Sequence, residues 1–373
     1  MTVLDKLKTL IPLQELEWDA QNQIYDALKL DFLKKLVILP DCHTGYSLPI
    51  GGVALLDNVI SPGYVGYDIG CGMCYVVTNI LAKDFFKKEK TKKKIFDKIY
   101  RDVPVGFESH NHNLDYNAFK SASSSKELNE KVLGRLYIQL GTLGGGNHFI
   151  EIGENGKGFL TVTIHSGSRN IGHSIATYYM KLSNEIQKDL PNGFFHLNSE
   201  EGQQYLIDMN FALEYALANR MLMMETVLDY FVTGKEKARA MSEMVNENHN
   251  HAILRPDGIL HRKGATPAEE GKLGIIPGSM KTGVYVTEGL GNEEYLSSSS
   301  HGAGRKMSRK QAKSKITMER FKEQMNGIMA KVTHSTKDEA PDAYKNVYDV
   351  IKKQEGIVIK TIDHLKVIIN VKG

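Results

Sequence analysis

Residues 37–77 read VILPDCHTGYSLPIGGVALLDNVISPGYVGYDIGCGMCYVV. Short apolar runs, Val37-Ile38-Leu39, Val53-Ala54-Leu55-Leu56 and Tyr75-Val76-Val77, are separated here by glycine-rich turns, the pattern of short strands joined by loops. Asp68 and Cys71 sit in one of those turns. The stretch therefore predicts a sheet that carries its chemistry on its loops.

Toward the N-terminus, Leu4, Leu7, Leu10, Ile24 and Leu28 recur at three-to-four spacing and predict helix over residues 1–35, broken at Pro12. Residues 84–100 place Phe85, Phe86, Ile95, Phe96 and Ile99 on one helix face, with lysines on the solvated remainder. Residues 121–131, SASSSKELNEK, predict a polar connector leading into a helix start. A buried strand is expected over residues 159–164, with His165 at its carboxyl end, then a turn and an amphipathic stretch over about 173–190. Asn198, with Glu201 three residues on, predicts the cap of the longest helix, whose Met209, Leu213, Leu217, Met224 and Leu228 read as core. Residues 258–304 are again glycine-punctuated; the serine run 297–300 ends in a histidine and two glycines, which sets it apart from a flexible linker. Residues 357–371 predict a final strand pair closing the sheet. Strands and helices thus intermix, giving the α/β class (mixed α+β), with no repeat and no domain boundary.

The 373 residues are 41% hydrophobic, enough for a substantial core. Lys+Arg 47 against Asp+Glu 44 leaves +3, so no global field draws a polyanion, and any such contact needs a local cluster. No run approaches the roughly 18 apolar residues of a membrane span, and the opening MTVLDKLKTLIPLQELEWDAQ carries charges where a secretory apolar core belongs. Cys42, Cys71 and Cys74 are too few, and odd in number, for a disulfide framework. A cytoplasmic protein with reduced thiols and no membrane partner is expected. Its 34 glycines and 13 histidines cluster together.

Four such clusters offer metal-ligand types: Asp68 and Cys71 in GYDIGCG, His148 in GGGNH, His165 in IHSGSR, and His249 or His251 in NHNH. Carboxylate, thiolate and imidazole at turns suit a first-row divalent cation, though the set does not name the metal. Glycines let Asp68 and Cys71 converge, whereas Cys71 and Cys74 on one strand face opposite sides, which disfavours a redox pair. Neither G-x-x-x-x-G-K-[ST] nor G-x-G-x-x-G occurs, and Arg255-Pro256-Asp257-Gly258 has arginine where a nucleotidyl-transferring lysine belongs. His301 is the remaining nucleophile: neutral imidazole attacks phosphorus near neutral pH, with Gly302, Gly304, Arg305 and Arg309 at hand for phosphate oxygens.

Taken in order, PDCHTG at 40–45 with PIGG at 49–52, GYDIGCGM at 66–73, GGGNHFIE at 144–151, HSGSRNIG at 165–172, HRKGAT at 261–266, PGSM at 277–280, HGAGR at 301–305 and the terminal VKG resemble the RtcB family of RNA-splicing ligases over nearly the whole chain. The resemblance implies one catalytic domain, residues 1–373, with a mixed β-sheet core surrounded by helices. It implies a GTP- and Mn²⁺-dependent RNA ligase that joins 3′-phosphate or 2′,3′-cyclic phosphate ends to 5′-hydroxyl ends through guanylylated His301. It further implies that Cys71 bridges two Mn²⁺ ions, with Asp68 and His148 on one and His165 and His249 on the other. The family's His-Asn pattern selects His249 over His251. Carried over likewise, Asn147, Phe149, Glu151, Ser279, Ala303, Gly304, Arg305, Tyr344 and Lys372 bind the guanine nucleotide. Arg169, Lys263 and Arg309 hold phosphates, and Asp41 assists near the 5′-hydroxyl. The partners implied are RNA and an archease-type activator. Cys42 and Thr44 in the first motif, and a shorter chain, suggest a specialised paralogue in RNA repair or tRNA processing. A metal-dependent phosphoesterase built on the same cluster is the alternative.

Overall fold

The computed structural model describes residues 3–114, 126–186 and 189–373. Two large sheets organise them. The smaller has five strands in the order Leu7–Thr9, Leu33–His43, Ile50–Leu56, Gly258–Lys263 and Asn250–Arg255. The larger runs Leu273–Pro277, Val284–Gly289, Ile359–Lys372, Phe149–Glu154, Phe159–Ser166, Gly72–Leu81 and Val245–Asn248, with Met329–Ala330 beside Ile359–Lys372. Leu7–Thr9 and Met329–Ala330 pair in parallel, while the remaining ladders of both sheets are antiparallel. Helices pack around them, so the mixed α/β architecture expected from the sequence is the one present. None of the helices is long and apolar enough to cross a membrane among the described residues.

The chain passes from one sheet to the other between Ile50–Leu56 and Gly72–Leu81, and again at His249, which separates Val245–Asn248 from Asn250–Arg255. Residues at such crossings leave the ladders and can point into the cleft between sheets. Asp68, Cys71 and His249 fall there, and His148 and His165 meet them from the larger sheet.

Several local expectations are corrected. Residues 1–35 are not continuous helix: Leu7–Thr9 adds a parallel edge to Leu33–His43, pairing Leu7 with Leu36, and only Trp18–Leu28 is α-helical. The apolar spacing was met by a sheet edge and a helix that bury into the same cluster. The C-terminal strand pair is one long strand, Ile359–Lys372, whose first half pairs with Val284–Gly289 and whose second half pairs with Phe149–Glu154. No turn residue interrupts it, so the chain serves two neighbours in succession. The longest helix, Glu200–Leu228, is capped by Ser199, whose hydroxyl accepts from the Gly202 N–H at 3.1 Å. Met209, Met223 and Met224 are fully buried on it, as core. Residues 84–100 form Ala82–Phe85 and Glu89–Asp102, burying Ile95 and Ile99. Of the connector expected at 121–131, residues 121–125 lie outside the described residues, and the remainder already belongs to the helix Lys126–Leu133. The serine run is a buried strand, Ser298–Ser300, paired with Ala265–Pro267.

Candidate active site

The turn after Tyr67 is tight: the Cys71 N–H donates to the Asp68 carbonyl at 3.0 Å, and Gly70 supplies the left-handed φ of +74° the turn needs. Asp68 and Cys71 therefore face one way. Cys74 goes the other way, into the core beside Val76 and Ile150. His148 immediately precedes the strand Phe149–Glu154, and His165 stands opposite Phe149 in the neighbouring strand. The His249 N–H donates to the Cys71 carbonyl at 2.7 Å, bringing the second sheet crossing onto the first. Gly167 approaches so closely that a Cβ there would collide with Asp68 Oδ1.

These side chains form a continuous line. Cys71 Sγ lies 3.4 Å from His148 Nε2 and 3.2 Å from His165 Nε2. His148 Nε2 is 3.0 Å from Asp68 Oδ2, and His165 Nε2 is 3.4 Å from His249 Nε2. The His249 ring stands 4.8 Å, centroid to centroid, from that of His301. Burial, then the neighbouring imidazoles, push His165 and His249 well below the usual histidine range, so both rings are neutral. Burial, then Asp68, pushes the Cys71 thiol up. At Asp68, burial favours protonation but is outweighed by His148, so the carboxyl is held low. The single His165 Nε2 faces both Cys71 Sγ and His249 Nε2, so one ring nitrogen is shared between two neighbours. Cys71 Sγ and ring nitrogens of His148 and His165 converge closely enough to hold a divalent cation, and Asp68 Oδ2 lies 3.0 Å from His148 Nε2 beside them.

His251, the rival to His249, is outside the line: its Nε2 faces Arg262 at 3.4 Å in the smaller sheet. The residue that ties the line together carries no motif. Arg220, fully buried in the longest helix, donates to the carbonyls of Gly70 and Ser166, both at 2.9 Å, and to the side-chain oxygens of Asn246 and Asn248, both at 2.7 Å. It thus grips the residues flanking Cys71, His165 and His249.

At the other end of the line, Asp41 is fully buried and accepts from both the ring and the backbone of His301, Oδ2 lying 2.7 Å from Nδ1 and 3.1 Å from N. Burial opposes ionisation of Asp41, but His301 outweighs it and holds its carboxyl below the usual range. An ionised Asp41 can only accept, so Nδ1 carries the proton of this bond, and in the neutral ring the lone pair belongs to Nε2.

A cavity of about 780 Å³ opens from this point, and Asn147, Phe149, Glu151, Ser279, Ala303, Gly304, Arg305, Tyr344 and Lys372 all line it, together with His165 and His301. Its size suits a nucleotide. Glu339, from a segment that carried no motif, knits one wall: its carboxylate accepts from Lys372 at 2.8 Å, Tyr344 at 2.5 Å, Arg309 at 2.6 Å and Arg305 at 3.1 Å. Burial opposes its ionisation, but Lys372 and Arg309 outweigh it and hold its carboxyl near 2. Glu151 is different: Asn370 donates to Oε2 at 3.1 Å, Oε1 has no partner, and burial raises its pKa to about 8.

The three expected phosphate contacts are placed unequally. Arg309 lines the cavity. Arg169, at a left-handed φ of 58°, lies over the Gly144–Gly146 turn and donates to Thr142 Oγ1 at 2.8 Å and the Gly106 carbonyl at 2.7 Å. Lys263 is turned away, its amine donating to the carbonyls of Tyr46 and Gly63, and burial lowers its pKa to about 7.

Comparison with known proteins agrees with this geometry. A family model described as tRNA-splicing ligase RtcB matches residues 23–127 and 111–373. The chain is 32% identical to the RNA-splicing ligase RtcB of Escherichia coli K12, over 96% of this chain and 95% of that protein. It is also 32% identical to the tRNA-splicing ligase RtcB of Thermococcus kodakarensis, over 86% of this chain and 83% of that protein. The match to RNA-splicing ligase RtcB homolog 1 of Entamoeba dispar is 31%, over 94% and 81%. Fold, cavity and these matches define an enzyme of the RNA ligase class. The chain belongs to the RtcB family.

Proposed function

We propose that residues 1–373 act as one GTP- and Mn²⁺-dependent ligase that joins RNA 3′-phosphate or 2′,3′-cyclic phosphate ends to 5′-hydroxyl ends, in tRNA splicing or RNA repair. The observation that carries this reading is His301: its Nδ1 is fixed by Asp41 at 2.7 Å, and it stands where the nucleotide-sized cavity meets the cation-type cluster. Its Nε2 attacks the α-phosphorus of GTP, forming a P–N bond as pyrophosphate leaves. Asp41 stabilises the imidazolium that results. An RNA 3′-phosphate oxygen then displaces His301 from that phosphorus, and the 5′-hydroxyl finally attacks the 3′-phosphate phosphorus, releasing GMP. A cyclic end is first opened by water to the 3′-phosphate.

Asp68, Cys71, His148, His165 and His249 are the residues that would hold two Mn²⁺ ions, with Cys71 shared. Such ions supply charge for the phosphate oxygens and orientation for attacking and leaving groups. Glu151 Oε1 accepts from the N–H donors of guanine, with Phe149, Ser279, Tyr344 and Lys372 around the base. Asn147, Ala303, Gly304 and Arg305 meet the rest of the nucleotide. Arg169 and Arg309 hold phosphates; Lys263 does so only after releasing the Tyr46 carbonyl. The three free cysteines suit a reducing cytoplasm, and an archease-type activator is tested by comparing turnover with and without it.

Incubation with α-labelled GTP and Mn²⁺ tests the reading. A protein-bound label that survives SDS, is released by acid and is absent from His301→Ala is expected. Label persisting in His301→Ala removes the nucleophile; hydrolysis of phosphate ends without joining favours the phosphoesterase alternative.

A further inference from the structure

Beyond the Asp68 end of the cluster, three aromatic rings stand in a row. Tyr46 and Tyr67 have centroids 5.6 Å apart with planes inclined at 54°, and Tyr67 stacks on His173 at 5.3 Å and 25°. All three are exposed, Tyr46 by 48% and Tyr67 by 39%. They line no part of the nucleotide cavity and join none of the hydrophobic clusters. Core packing therefore does not account for them.

The row is nevertheless anchored to the site. The Tyr46 carbonyl accepts from the buried Lys263 amine, Tyr67 directly precedes Asp68, and His173 rides on the helix Arg169–Glu185, which begins four residues after His165. Asp68 is itself only half-buried, whereas Cys71, His148, His165 and His249 are buried, so the cluster opens to solvent on this side. Exposed rings held in a row are what unpaired nucleobases stack upon, because every base has a π-face and needs no particular hydrogen-bond partner.

We propose that Tyr46, Tyr67 and His173 form a stacking platform for unpaired nucleobases of an RNA end. The RNA then reaches the cluster from its Asp68 side while the guanine nucleotide occupies the cavity on its His301 side. This rests on the ligase reading above.

The test measures binding of a fluorescein-labelled single-stranded RNA ending in a 3′-phosphate, by anisotropy, to the full chain. Tyr46→Ala and Tyr67→Ala are each expected to weaken binding about tenfold, and Tyr46→Phe and Tyr67→Phe to retain it. An RNA whose two terminal nucleotides are abasic should lose affinity for the parent but not for Tyr46→Ala, a coupling that a merely structural tyrosine does not show. Equal affinity in the Ala variants, a loss shared by the Phe variants, or an abasic penalty undiminished in Tyr46→Ala overturns the platform. The ligase reading fails separately, if the parent protein forms no acid-labile guanylate.

Discussion

The two ends of the site are built on opposite principles. Around Glu339, four cationic or hydroxyl partners are already paired with one buried carboxylate, so the cavity wall is complete as it stands. Around Cys71, a thiol and three imidazoles stand in a chain of contacts of 3.2–3.4 Å, with His165 and His249 held neutral by burial. The first region is filled by its own charges, and the second presents the donors that a cation would need. Binding of the nucleotide and of the metal should therefore fail in different ways when each end is perturbed.

The largest effect is expected at the unfinished end. Cys71→Ala should lose both Mn²⁺ ions and reduce ligation by more than about a thousandfold, since a shared thiolate serves two charges. Metal analysis showing one ion retained at full occupancy would erase the asymmetry. Arg220→Met comes next: losing its grip on Gly70, Ser166 and Asn248 should weaken Mn²⁺ binding by about 10–100-fold, read by metal titration, because outer partners orient the ligands.

At the finished end the effects are smaller and fall on the nucleotide. Glu339→Gln keeps the shape but removes the charge that holds Lys372 and Arg309, and should raise the KM for GTP about tenfold while leaving Mn²⁺ content unchanged. Loss of metal in that variant would mean the two ends are not independent. Glu151 gives a pH signature. Burial raises its pKa to about 8, and guanine N–H donors favour its ionised form. Binding therefore releases a proton, and GTP affinity should rise with pH up to about 8 and flatten above it; Glu151→Gln should abolish this slope and narrow the preference for GTP over ATP. A slope that survives the substitution assigns the proton elsewhere. The smallest signal comes from Trp18, the single tryptophan, which is 71% exposed and lines the cavity. Its emission should shift when GTP binds and not when Mn²⁺ alone does.

The same contrast explains what was legible in the sequence. Asp68, Cys71 and His148 lie in glycine-rich loops, His165 stands near the carboxyl end of its strand just before Gly167, and His249 sits at a sheet crossing, so their chemistry and their local punctuation largely coincide. Arg220 and Glu339 carry no such mark. Nothing near Arg220 in sequence reveals that a turn at residue 70 and strand ends at 166 and 248 arrive at its guanidinium. The N-terminal segment misled for a related reason: spacing of Leu4, Leu7 and Leu10 cannot distinguish a helix from a sheet edge whose partner lies about thirty residues on. Chain length also gave a weak signal, since the chain spans 95% of its Escherichia coli relative.

The strand leading to His301 is buried at Ser298, Ser299 and Ser300, and Asp41 grips that histidine by ring and backbone together. A side chain tethered by ring and backbone at once is a fixed post, so whatever reacts at that ring has to be carried to it by the cavity that opens there.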